Sequence, residues 1–419
     1  MVTPATTRLS LPNGLHVILR EAHSAPVVAH TIAYRIGSRN ERTGQTGISH
    51  WVEHMMFKGT PRFPAGALDK AIDRVGGAWN ASTSTDYTQY YQTLPAQHIG
   101  LALESEADRM MNALFDADEV ENERTVIISE RQGNENRPMF WLGEAMRAAA
   151  FRVHGYHHEI IGDMADLCAI TRDDLYAHYR AHYVPANATL VVVGAFETGA
   201  LLRLIEETYG LLPALPAPAL FQRPEPDQMG ERRVIVERPG ETAYVRVAFR
   251  APAATHDDWF RLTILDSILT GAGGGLDNRT SRLYQALEKT GLCAGVGGGL
   301  QTSIDPYLYT ISLLLNTGIA HETVERALFT EIERVQQDGI SPQELARARK
   351  QAAATFAYST ETVSNQAYYL AQAAMLGDTH WFDHYLERLN AVTLEDVQDA
   401  ARRYLVPRSR TVGWLVKGG

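Results

Sequence analysis

Hydrophobic residues first alternate with polar ones, then recur every three or four positions, and this change of period occurs in both halves of the chain. In the first half, Leu15-His16-Val17-Ile18-Leu19 and the run Val27 to Tyr34 read as strands. In the second, the run Ala243 to Phe249 does. After a short loop each half turns to helical spacing, Gly47 to Gly59 in the first and Phe260 to Thr270 in the second, each ended by a glycine, Gly59 or Gly271. Ala33-Tyr34-Arg35 resembles Ala248-Phe249-Arg250, which adds to the impression of a duplicated unit. His321 to Arg403 is mostly helix-periodic, and Arg410 to Val416 reads as a closing strand. Five prolines, at 213, 216, 218, 224 and 226, fall in a stretch with no sustained period. We take 213–230 as a linker between a first domain, 1–212, and a homologous second domain, 231–419. The expected fold is α+β: two homologous α/β sandwiches, each a mostly antiparallel sheet with helices packed on one side.

A chain of 419 residues is too long for one ordinary core, in agreement with two halves. At 45% hydrophobic and 21% charged residues it is neither disordered nor fibrous. The net charge of −10 argues against nucleic acid and anionic lipid as partners. No apolar run approaches the roughly 18 residues of a membrane span. Cys168 and Cys293 share no short spacing, so neither a metal knuckle nor a disulfide framework is expected, and both are predicted to be buried.

The chemistry lies in the first-half helix. His50 and His54 stand at i and i+4, about 5–6 Å apart on one face, where two imidazoles can share a zinc ion. Glu53 lies on the same face and can reach a water on the metal without binding it, as a general base must. A catalytic zinc takes a third protein ligand, and the predicted helix Ala117 to Gln132 offers Glu121, Glu123 and Glu130. Glu123 and Glu130 are seven apart, about 10.5 Å along the axis, so they do not bind one ion together. One is a ligand and the other its neighbour, and spacing does not decide which.

The order His-x-x-Glu-His, with 75 residues between His54 and Glu130 and Glu123 seven before Glu130, resembles the pitrilysin/insulysin (inverzincin) family. The resemblance implies one zinc per chain on His50, His54 and Glu130, with Glu53 as catalytic base and Glu123 as a second functional acid. The segment Gly76 to Tyr91 is similar to the family strand onto which substrate adds as an extra strand, which implies peptide contacts at Asn80, Ala81, Ser82 and Thr83. Read by itself, that segment has a lesser alternative, an edge strand kept polar against aggregation. The chain resembles the zinc-bearing subunit of a half-length, bacterial, processing-peptidase-like enzyme, an endopeptidase of unfolded polypeptides in an enclosed chamber. No signal peptide is visible in Met1 to Arg8, and bacterial cytoplasm and periplasm both stay open.

Three features sit beside this reading. The cluster His154-Gly155-Tyr156-His157-His158 lacks an acidic partner at helical spacing and is expected to be structural or substrate-facing. The runs Gly271 to Gly275 and Gly295 to Gly299 lack the context of a phosphate loop. Family resemblance places the first near the mouth of the peptide chamber. The family completes its site with an Arg and a Tyr seven apart, whereas the matching stretch here, Ser281 to Ala294, has Leu287 or Glu288 for the Arg and Ala294 for the Tyr. Arg282 and Tyr284 are out of register and are expected to be structural. The resemblance therefore implies a homologous partner subunit supplying those groups, as a heterodimer or else a homodimer. The alternative is a non-catalytic, chaperone-like or complex-building homologue. A structural zinc protein would need a fourth ligand and leaves Glu53 without a purpose.

Overall fold

A computed structural model describes residues 6–240, 242–271 and 279–418. Its strands are β1 (Thr6–Ser10), β2 (His16–Glu21), β3 (Val27–Tyr34), β4 (Ala78–Thr83), β5 (Thr88–Pro95), β6 (Ala188–Gly194), β7 (Arg232–Arg238), β8 (Tyr244–Ala251), β9 (Cys293–Leu300), β10 (Tyr307–Leu315) and β11 (Arg410–Lys417). Its helices are α1 (Ile48–Met55), α2 (Ala67–Arg74), α3 (Ile99–Asn112), α4 (Ala117–Glu135), α5 (Pro138–Ala150), α6 (Met164–Ala169), α7 (Arg172–His182), α8 (Thr198–Thr208), α9 (Asp257–Leu269), α10 (His321–Asp338), α11 (Pro342–Ser359), α12 (Val363–Leu376), α13 (Trp381–Ala391) and α14 (Leu394–Tyr404). None of the described helices is long and apolar enough to cross a membrane.

The strands form two sheets, ordered β1-β2-β6-β3-β5-β4 and β7-β11-β8-β10-β9. β2 runs parallel to β6 as β7 does to β11, and every other pairing is antiparallel. Strand for strand the second sheet repeats the first, with β1 the one addition, so the duplication expected from the two halves is present in the topology. Each unit is an α+β sandwich.

The two compact units interleave along the chain. One holds 1–132, 158–223 and 360–382, the other 133–157, 224–359 and 383–419. The segment expected as a linker, 213–230, carries one of the crossings. The exchanges of 133–157 and 360–382 leave no mark in the hydrophobic period, because a helix buries its apolar stripe equally well on either sheet.

In the first unit β6 is buried along its whole length, and its Leu190-Val191-Val192-Val193 run suits a strand covered on both faces. Strand alternation shows how. Gln92 of β5 donates to Ser105 (3.2 Å) and Glu106 (2.9 Å) of α3, whereas the next residue, Thr93, meets Ser364 of α12 (2.8 Å). Most helices of the unit, α1 and α3 included, thus face one side of the sheet. α12, arriving from far along the chain, covers β3 and β6 on the other.

Two expectations need correction. The helix predicted over Gly47 to Gly59 ends at Met55, after which Phe57 and Lys58 donate to His54 and Met55, tightening the last turn to i−3 bonds. Cys293 is buried as expected, but Cys168 is exposed, because the short helix α6 buries only Leu167. The second glycine run forms β9, an edge strand. The first lies outside the described residues from Ala272 onward.

Candidate metal centre

α1 buries Ile48, Trp51, Val52 and Met55 in the core at i, i+3, i+4 and i+7, which turns His50 and His54 to the opposite side. The helix starts at Gly47, whose φ of +87° is left-handed. A Cβ there would sit 2.4 Å from the Ile161 carbonyl oxygen, and one on Gly162, at φ +84°, would sit 2.2 Å from that of Thr46. No side chain caps the helix from the usual position. Instead Glu41, fully buried, accepts the N–H groups of Gly47 and Ser49, both at 2.8 Å. Burial pushes the Glu41 carboxyl up to about 8, against the pull of those two amides.

The His50 and His54 rings lie 4.6 Å apart, centre to centre. Their Nε2 atoms are 3.8 and 3.9 Å from Glu130 Oε2 on α4, and the three ligand atoms lie within 4.8 Å of one another. Among the described residues no other group of three or more His, Cys, Asp or Glu converges in this way. Glu123, two turns earlier on α4, faces the back of the pair: its Oε1 accepts from His54 Nδ1 at 2.7 Å and its Oε2 from Lys58 Nζ at 2.5 Å. That bond puts the His54 proton on Nδ1 and leaves Nε2 free to ligate. The alternatives left by spacing are thus separated by direction: Glu130 points at the imidazole nitrogens and Glu123 holds one imidazole from behind.

The electrostatics around the two imidazoles favour a cation, a proton on His54 in the metal-free protein or a metal ion in its place. Burial and the neighbouring His54 lower His50 to about 3, keeping it neutral. Burial opposes protonation of His54, but the hydrogen bond and charge of Glu123 outweigh it and raise His54 above its ordinary value. The His54 bond, helped by Lys58 and opposed by partial burial, holds Glu123 near 2, so it stays ionised. Two imidazoles and a carboxylate on the open side, with Glu130 45% exposed, form a three-ligand set of the kind zinc uses when a position is left for water.

Glu53 is 8% exposed, and Thr83 Oγ1 of β4 donates to its Oε2 at 2.5 Å. Burial raises its pKa, with Thr83 and His54 acting in the opposite sense. β4 ends the sheet, so one side of it is unpaired. On it Asn80 is exposed and its Oδ1 accepts from the Ala81 N–H at 2.9 Å, while Ser82 accepts from Gln89 at 3.2 Å. Of the four residues expected to touch peptide, Asn80, Ala81 and Ser82 lie on this edge strand. Thr83 shares the strand but spends its hydroxyl on Glu53.

Glu41 and Lys58 are not among the residues expected from the sequence. Lys58 stands at i+4 from His54, a signal that was available. The bonds of Glu41 depend on chain folding that no local spacing reports. The histidine cluster does not gather a metal set: His154 Nε2 pairs with Asp305 at 3.0 Å and His157 Nδ1 with the His154 carbonyl at 2.8 Å, whereas His158 Nε2 lies 3.8 Å from Glu41. With the two helices aligned in sequence on Gly59 and Gly271, Leu262 and Leu265 of the second unit take the positions of His50 and Glu53 and Asp266 that of His54, and both leucines are fully buried. Asp266 accepts from Thr270 (2.7 Å) and Tyr309 (2.9 Å), so the repeated helix carries a core where the first carries a site.

Residues 16–164 match the family profile described as insulinase, peptidase family M16, and residues 169–352 match that described as peptidase M16 inactive domain. An uncharacterized zinc protease of Mycobacterium bovis is 28% identical over 99% of this chain and 93% of its own length. The crystal structure of a protease from Helicobacter pylori superposes with a TM-score of 0.93 at 26% identity, covering 99% of both chains. At 20% identity and a TM-score of 0.80, the same fold occupies 47% of the periplasmic protease PqqL of Escherichia coli and covers 98% of this chain.

Proposed function

The chain belongs to the M16 peptidase family, and we propose that it is the zinc-bearing subunit of an endopeptidase that hydrolyses peptides or unfolded polypeptides in an enclosed chamber. The observation that carries this reading is the convergence of His50, His54 and Glu130 on one point, with buried Glu53 on the same helix hydrogen-bonded to the edge strand β4. A non-catalytic homologue would have no use for that set.

His50, His54 and Glu130 are the residues that would hold zinc, and the ion would supply Lewis acidity there. Thr83 fixes Oε2 of Glu53, so Oε1 is the atom that accepts the proton of the attacking water. Burial makes that carboxylate a better base, and the same carboxyl then passes the proton to the leaving amine. Glu123 and Lys58 hold His54 in the ligating tautomer. A substrate in extended form adds to β4, where its carbonyl replaces Asn80 Oδ1 as acceptor of the Ala81 N–H, so recognition is mainly of backbone and tolerates many sequences.

A second subunit completes the chamber. Leu287 is fully buried and Ala294 has no phenol, so these two positions offer neither the cation nor the hydroxyl expected to stabilise the tetrahedral oxyanion. Arg282 is committed to Glu344, at 2.7 and 3.0 Å, and to the Gly339 carbonyl. Because a second copy would bring the same Leu287 and Ala294, a heterologous, homologous chain is the partner that fits. The occurrence of this fold as about half of a longer protease supports such a pairing.

The test is peptide cleavage by the zinc-loaded chain with and without a homologous partner, using wild type and Glu53→Gln. Glu53→Gln should retain one zinc per chain while kcat falls about 10²- to 10⁴-fold. A Glu53→Gln enzyme with wild-type turnover would remove Glu53 from the mechanism.

A further inference from the structure

Arg109 of α3 is a buried cation that the mechanism above does not use; it is 2% exposed. Its Nη1 donates to the carbonyl of Met56, which caps the C-terminal end of α1, at 3.2 Å. Its Nη2 bonds the fully buried Glu106, which also accepts from Gln92 of β5 at 2.9 Å. The guanidinium carbon lies 4.9 Å from the ring centres of Trp79 and Tyr90 and 5.4 Å from that of Phe57. Trp79 lies on β4, on the face it shares with Ala81 and Thr83 by strand alternation. One planar cation is therefore bonded to the end of the helix bearing His50, Glu53 and His54 and stacked on the strand bearing Thr83.

We propose that Arg109 is a positioning residue for Glu53: it ties the C-terminal end of α1 to β4 and so sets the Glu53–Thr83 hydrogen bond. The inference rests on the peptidase reading of that site. Stability alone does not account for the residue, because replacing a buried ion pair by apolar side chains is often neutral or stabilising. An apolar pair lacks the in-plane donor to Met56 combined with a flat face against Trp79. Lysine lacks them too, being a point charge without a plane. Of the zinc ligands on α1, His54 has its own tie, through Glu123 and Lys58, whereas Glu53 is held by Thr83 of the strand that Arg109 stacks on, so Arg109 bears on the base more than on the metal.

The experiment uses the zinc-loaded chain with its partner and compares wild type, Arg109→Lys and the double variant Glu106→Leu/Arg109→Met. In Arg109→Lys zinc affinity and KM should stay within about threefold of wild type while kcat falls about 10²-fold, the size expected for a misplaced catalytic group. The double variant guards against simple unfolding: with both charges gone its Tm should return to within about 5 °C of wild type, and kcat should stay low. Amide hydrogen exchange of residues 78–83 should quicken in both variants, a readout that needs no turnover. If wild type does not cleave peptides at all, the peptidase reading fails while the exchange result still reports on Arg109. A double variant that recovers wild-type kcat, or unchanged exchange over 78–83 in both variants, would overturn the proposal.

Discussion

Glu123→Gln separates the carboxylate that holds the site from the one that ligates. Glu123 makes two charge-assisted bonds, to His54 Nδ1 at 2.7 Å and Lys58 Nζ at 2.5 Å, and its side chain is 7% exposed. Glutamine keeps one carbonyl acceptor for His54 but turns an NH₂ donor toward the Lys58 ammonium. Lys58 then has only Glu119, at 3.6 Å. Mutation of a partner that holds a ligating imidazole from behind typically costs about 10- to 100-fold in metal affinity, or about 1.4–2.8 kcal/mol, and here a neutral, less well anchored acceptor replaces the carboxylate. In the metal-free protein the same residue sets part of the acid limb. The Glu123 carboxyl is lowered to about 2 from an unfolded 4.5, so its contribution is complete above about pH 4.5 and is lost as pH falls toward 2. The shift corresponds to something on the order of 3 kcal/mol near neutral pH. The assay is zinc titration against a competing chelator, with thermal melts of the metal-free protein from pH 7 to pH 3. Glu123→Gln should bind zinc more weakly and lose stability less steeply with acid. A variant with a zinc Kd within twofold of wild type and an unchanged acid limb would refute the role given to Glu123.

Glu41→Ala strands the Gly47 and Ser49 amides inside the protein, at about 1–3 kcal/mol for each buried unsatisfied donor; a differential scanning calorimeter should show Tm lower by several degrees, and an unchanged Tm would mean another group caps α1. Ala81→Pro removes the β4 amide that we assign to substrate while leaving an edge strand that tolerates proline; kcat/KM should fall by about tenfold or more with zinc content unchanged, and unaltered kcat/KM would move peptide binding away from this edge.

Much of this architecture is readable along the chain because it is periodic. The run Val27 to Tyr34 is a strand with those limits, and the buried positions 48, 51, 52 and 55 set the outward side of α1 by the helical repeat alone. The duplication is legible for the same reason, since each half must present the same alternation of strand and helix to build the same sheet. What periodicity does not carry is partner choice: α5 and α12 read as amphipathic or apolar helices wherever they dock, so the interleaving of 133–157 and 360–382 is invisible. Cys168 failed on the opposite ground, a residue-type average overruled by a six-residue helix with one buried position.

The site divides along the same line. The sequence by itself determined that two imidazoles and a carboxyl share one face of α1, because a turn of 3.6 residues puts i, i+3 and i+4 together in any fold. Only the tertiary structure decided that Glu130 meets both Nε2 atoms while Glu123 takes Nδ1, because direction across two helices depends on how they pack. It also decided that Thr83 serves Glu53, that Glu41 caps α1 from six residues upstream, and that Arg109 joins the helix end to the strand. Those contacts span 30, 6 and 53 residues. Local spacing reports neighbours on one element, whereas catalytic geometry is set by elements brought together from different parts of the chain.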